Sequence, residues 1–187
     1  MTAQPFDLDA YRLAAVIYRP EDDIDALLEA FANDVARGGE RIGGLVQRNV
    51  AVAAGGPPAM QLIDLMTART INISQPRGRN STGCRLDAAG LADAASAVTR
   101  AVDDGVALVI VNKFSKQEAS GQGLRGEIAL AVAAGMPVLT AVPEKCLDAW
   151  AAFAGEQSTT LPCARAAIEA WWAEVSREVR RRADAPG

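Results

Sequence analysis

Histidine is absent from this sequence. That removes histidine general bases, Ser-His and Cys-His nucleophile pairs, and His-rich zinc sites. Cysteine is scarce, with only Cys84, Cys146 and Cys163 and no CxxC pair, which excludes a zinc ribbon and a thioredoxin motif. An odd number of widely spaced thiols suits a reducing, cytoplasmic setting. No run approaches the roughly 18–20 apolar residues of a membrane-spanning helix. The opening MTAQPFDLDAYR is acidic and lacks a signal-type apolar core. The expectation is a cytoplasmic protein with no membrane partner. A basic excess is lacking too: the net charge is −4, which argues against a nucleic-acid partner that must displace counterions. No cofactor or metal motif is present, so none is expected.

Half of the 187 residues are hydrophobic, enough for a packed core. The length fits one α/β domain over 1–187, with its core at about 12–180. Leu13–Tyr18 reads as a buried central strand. Ile24, Leu27, Leu28, Phe31 and Val35 recur at helical spacing, and Gly38-Gly39 closes that helix. A strand over 42–47 completes a βαβ unit, whose strands are expected to be parallel. After a loop over 49–58, strands at 60–66 and 70–75 with a short connection predict an antiparallel hairpin. Asp87 is placed to cap a helix whose buried stripe is Leu91, Ala94, Ala95, Val98 and Val102. The strongest strand, 106–111, follows. Helices are expected at 125–134 and 144–154, a strand at 137–142, and a last helix carrying Ile168, Trp171, Trp172, Val175 and Val179. The fold class is α/β: a three-layer, mostly parallel sheet flanked by helices, with a β-hairpin insertion.

Ligands of open α/β sheets sit at the carboxyl ends of the strands. Three segments should converge there. The first is Arg19–Asp23; the run from the first strand into the helix, Tyr18-Arg19-Pro20-Glu21-Asp22-Asp23-Ile24-Asp25, occupies the place of a P-loop but has no glycine, lysine or phosphate-binding hydroxyl. Its acids suit a helix N-terminus and would repel a triphosphate. The second spans 76–87. Arg77, Arg79 and Arg85 offer guanidinium forks for an oxyanion, and Asn80, Ser81, Thr82 and Gly83 offer amides, hydroxyls and flexible backbone. Cys84 lies among them, either as a small buried thiol or as one activated by the arginines. The third begins after the strongest strand. Asn112 stands where a carboxylate would organise Mg²⁺ in a P-loop enzyme, and Lys113 follows. Lys116, Glu118 and Arg125 complete the candidate set; Lys113 and Glu118 could also form a plain surface ion pair.

GCRLD at 83–87, VNKFSKQEASGQGLR at 111–125 and PVLTAV at 137–142 resemble a bacterial family of unknown function whose members are often encoded beside molybdenum-transport genes. The likeness spans residues 12–175. Gly43-Gly44 and the Leu62-Ile63-Asp64-Leu65 hairpin are more distantly similar to the THEP-type P-loop nucleoside-triphosphatases. That resemblance implies their fold. In those enzymes the strong strand ends in an acidic pair with a Glu beyond; here Asn112 and Lys113 stand in the pair and Glu118 remains.

The leading expectation is a non-hydrolytic binding or accessory protein. Its ligand would be a small anion such as molybdate, tungstate or a phosphate compound, and the molybdenum or tungsten link follows from the resemblance alone. The alternatives are an enzyme acting on a nucleotide or other phosphorylated compound, with Glu118 as base and Lys113 or Arg125 as electrophilic stabiliser, and a protein-interaction module. A homo-oligomer is compatible with all three.

Overall fold

The computed structural model describes residues 12–51, 58–75, 85–155 and 158–183. Strand β1 (Leu13–Tyr18) leads through a five-residue turn into α1 (Ile24–Arg37), then β2 (Ile42–Val50). The hairpin is β3 (Ala59–Asp64) and β4 (Thr70–Asn72). Two short strands, β5 (Ser74–Gln75) and β6 (Arg85–Leu86), precede α2 (Ala88–Asp103) and β7 (Leu108–Val111). There follow α3 (Lys116–Ala119), α4 (Arg125–Ala133), β8 (Val138–Pro143), a 3₁₀ turn (Glu144–Cys146) and α5 (Leu147–Ala154). The chain ends with β9 (Thr159–Pro162) and α6 (Arg165–Ala183).

Seven strands form one sheet in the order β4-β3-β2-β7-β8-β1-β9. The contacts β2·β7, β7·β8, β8·β1 and β1·β9 are parallel, and β3 and β4 join as the antiparallel insertion. Alternation along each strand sends side chains to two cores. Leu13, Ala15, Val109 and Val111 pack under α2, α4 and α5. Ala14, Val16, Leu108 and Ile110 pack under α1 and α6. The result is the three-layer sandwich that the sequence patterns predict.

Two glycines are required by close approach. A Cβ on Gly44 would sit 2.1 Å from the carbonyl oxygen of Ile110, and its φ is +94°. A Cβ on Gly43 would sit 2.4 Å from that of Ala101, so this pair lets β2 lie against β7 and α2. Several details differ from the sequence expectation: the strand expected over 106–111 starts at Leu108, the one expected over 60–66 ends at Asp64, and α3 forms inside the expected polar loop. β2 runs to Val50 rather than stopping at 47, because its far half pairs with β3 from Gln47 opposite Leu62 to Val50 opposite Ala59. The expected strand over 70–75 is broken at Ile73, whose N–H bonds back to Met60 and whose carbonyl accepts from Asp87 N. β9 is an edge strand with no counterpart in the expectation. Among the described residues, no helix is long and apolar enough to cross a membrane.

Candidate functional site at the carboxyl edge

The segment after β7 is clamped between two neighbours. Asn112 N–H donates to Leu45 O (3.1 Å) on β2, and Phe114 N–H donates to Ala141 O (3.0 Å) on β8. The Asn112–Lys113 peptide bond is cis. This clamp fixes Asn112 and Lys113 where the parallel strands end.

Opposite them stands Asp25, the second residue of α1, just inside the N-cap Asp23. Its Oδ1 accepts from Asn112 Nδ2 (2.9 Å) and from Lys113 Nζ (2.9 Å). Its Oδ2 accepts from Asn49 Nδ2 (2.9 Å) and, more weakly, from Gln47 Nε2 (3.4 Å). Gln47 and Asn49 lie two apart on the extended half of β2, so alternation puts both on the face toward Asp25. Four donors from two strand ends therefore saturate one carboxylate. The Asp25 and Lys113 side chains are only 14% and 16% exposed, so water screens this pair less than a surface one.

Lys113 Nζ also lies 5.2 Å from the centroid of the Tyr18 ring at the end of β1. Burial, then the negative charge of Asp25, pushes the Tyr18 hydroxyl up to about 12, so it stays neutral at physiological pH. Asn112 is 1% exposed. Its Oδ1 has no hydrogen-bond partner among the described residues. The amide orientation is forced: reversed, Oδ1 would face the Asp25 carboxylate.

The other candidates separate. Glu118 is buried, and its carboxylate accepts from Ser115 N–H (2.9 Å) and Leu124 N–H (3.0 Å). The surface pair of Lys113 with Glu118 does not form, because Asp25 takes the ammonium and backbone amides take Glu118. Arg125 donates to Glu118 O (3.2 Å) and stacks over Phe153 at 4.6 Å. Lys116 is exposed at the start of α3. Arg85 opens β6. Arg77, Arg79, Asn80, Ser81, Thr82, Gly83 and Cys84 lie outside the described residues.

Sequence reasoning missed Asp25, Gln47, Asn49 and Tyr18. The acids after β1 read as partners of the helix dipole, a role that Asp23 fills by accepting from Ala26 N–H (3.2 Å). The usable signal was polar side chains at the carboxyl ends of β2 and β7 facing an acid in the first turn of α1.

A cavity of about 480 Å³ opens at the opposite, amino edge, beside Arg12, Glu40, Arg41 and Met136. Its charged groups are engaged: Arg12 donates to Gly135 O, Arg41 pairs with Asp104, and Glu40 pairs with Arg180.

Sheet order and flanking helices define a three-layer α/β fold of the P-loop NTPase-like type. A human cancer-related nucleoside triphosphatase, solved in solution, shares this fold with a TM-score of 0.60 at 10% identity, over 94% of this chain and 100% of that one. The chain belongs to the family described as "Protein of unknown function (DUF2478)", which matches residues 13–171. It is also 56% identical over 183 residues to a Bradyrhizobium diazoefficiens protein named "Molybdenum import ATP-binding protein ModC 2". That match takes in 96% of this chain but 20% of the relative, so the chain spans about a fifth of that protein's length.

Proposed function

We propose that this chain is a non-hydrolytic binding or accessory module for a small oxyanion or phosphorylated compound. The observation that carries the reading is Asp25. A P-loop fold holds its triphosphate between the first strand and the first helix, with glycines, a lysine and a hydroxyl. Here that segment ends in a carboxylate, saturated by Asn112, Lys113, Asn49 and Gln47. A fixed negative charge opposes a triphosphate. Asn112 at the end of β7 supplies no charge to organise Mg²⁺. The Walker motifs of the fold are thus degenerate in this reading.

Hydrogen-bond donors for a smaller anion remain. An ammonium has three donors, and Asp25 engages one hydrogen of Lys113. Lys116 stands three residues on, and the arginines of 77–85 follow β5 in sequence. The engagement of both Glu118 oxygens by backbone N–H groups speaks against Glu118 as a general base. A role in molybdenum metabolism is supported by the name of the longer relative, and its extension to tungsten by the family resemblance alone. It does not require the metal oxyanion itself to be the ligand.

Calorimetric and thermal-shift titrations with phosphate, sulfate, molybdate, tungstate and nucleotides test this reading. Selective binding of at least one small anion is expected. Lys113→Ala should weaken it about tenfold, the scale of one charge-assisted hydrogen bond. No binding across the panel would overturn the proposal.

A further inference from the structure

The Asn112 side chain narrows the ligand class. Every Asp25 acceptor position is taken, two donors on each oxygen. The one buried acceptor left open in this cluster is Asn112 Oδ1. It shares an amide with the Nδ2 that binds Asp25, so it cannot turn away without breaking that bond. Lys113 Nζ and Asn112 Nδ2 touch the same Asp25 oxygen, so the ammonium and the amide are neighbours.

A ligand docking here meets two demands at once. The spare donors of Lys113 call for acceptor oxygens. The open Asn112 oxygen calls for a hydrogen-bond donor, and it repels any unprotonated oxyanion oxygen set against it. The geometry points to a site selective for a protonated oxyanion, hydrogen phosphate or a phosphate group carrying its proton, over fully deprotonated tetrahedral anions. Hydrogen phosphate keeps a P–OH at neutral pH that can donate to Asn112 Oδ1 while its other oxygens take the Lys113 ammonium. Sulfate, molybdate and tungstate have the same shape and charge but no proton to give. Asn112 Oδ1 is fully buried, so docking requires local side-chain movement at this edge. A site built around a buried polar group rejects an analogue that leaves the group unpaired.

This inference rests on the anion-binding reading and adds a specificity to it. The test is competition calorimetry on the full chain at pH 7.5 with inorganic phosphate, sulfate and molybdate. Phosphate should bind at least about tenfold more tightly than either, the scale of one buried acceptor left unpaired. Equal affinities, or a preference for sulfate or molybdate, overturn the selectivity and leave anion binding standing. Silence for all three anions overturns the selectivity as well, and the wider panel then decides the anion-binding reading separately. Asn112→Leu should bring the three affinities within about twofold, with a thermal melt reporting whether it folds. Lys113→Ala should weaken all three anions in parallel and preserve their order. The wild-type ratio decides the inference whether or not the variants fold.

Discussion

Asp64 shows how one buried carboxylate ties the hairpin insertion to the body of the protein. It is 1% exposed at the end of β3. It accepts from Met66 N–H (2.9 Å), Thr67 Oγ1 (2.7 Å) and Arg100 Nη2 (2.8 Å) on α2. Burial opposes its ionisation, but the three hydrogen bonds and the Arg100 charge outweigh burial and hold the carboxyl below its ordinary value of 3.8. Unfolded, the same group binds a proton at higher pH. Its stabilising contribution is therefore complete above about pH 4 and is lost as pH falls through the depressed folded value. Asp64→Ala should cost about 2–3 kcal/mol, because it strands the Met66 N–H while the half-exposed Arg100 can still reach water. Urea unfolding at pH 7 measures that cost. Melts from pH 6 down to 3 should show a shallower acid loss in Asp64→Asn than in the wild type. Parallel acid slopes would remove Asp64 from the explanation.

At the scale of elements, the connection from β7 to α4 is an ordered clamp rather than a free polar loop. Ser115-x-x-Glu118 has the spacing of a capping box, so this much was present in the sequence. The rest was not. Nothing local says that Glu118 also reaches forward six residues to Leu124 N–H, or that Gly123 must be glycine because a Cβ there would lie 2.1 Å from Glu118 Oε1. Glu118→Ala leaves two backbone donors unpaired, one of them buried, and should cost about 2–3 kcal/mol; Glu118→Gln, which keeps one acceptor oxygen, should cost about half as much. Hydrogen exchange at Ser115 and Leu124 should accelerate in the alanine variant. Unchanged protection at both amides would show that the carboxylate does not hold this segment. The same division separates Asp25 from its neighbours: the acid was visible as a helix-start residue, but its partners come from β2 and β7, 22 to 88 positions away in sequence. Short-range patterns carry no trace of such pairings.

For the whole molecule, the parts with a strong period were readable. β1, β7 and β8 follow from near-continuous apolar runs and α1 and α2 from 3.6-residue spacing, and the burial of those strands on both faces dictates three layers. β9 was not readable, because Thr159–Pro162 has one buried apolar side chain, Leu161, and takes its strand identity from pairing with β1. The parallel order puts β1 between β8 and β9, with the ends of β2 and β7 on the same edge, and so assembles the Asp25 cluster from distant segments. That assembly argues most directly against nucleotide hydrolysis. Phosphoryl transfer needs backbone and lysine around the phosphates, a carboxylate-held Mg²⁺ and a positioned water. In the proposed reading, Asp25 in the first turn of α1 stands where a P-loop would present backbone to phosphate, Lys113 is tied to it, and an amide, Asn112, follows the strand that would carry the metal carboxylate. Losing several such groups together costs many powers of ten. Purified protein with Mg²⁺ and ATP or GTP should release phosphate well below about 0.1 s⁻¹, under the range of ordinary enzymes. Asp25→Asn, which removes the opposing charge without supplying a phosphate-binding backbone, should not create turnover. Steady release above that rate, abolished in Asn112→Leu or Lys113→Ala, would show that this edge hydrolyses nucleotides by a different arrangement of charge, and the binding-module reading would fall with it.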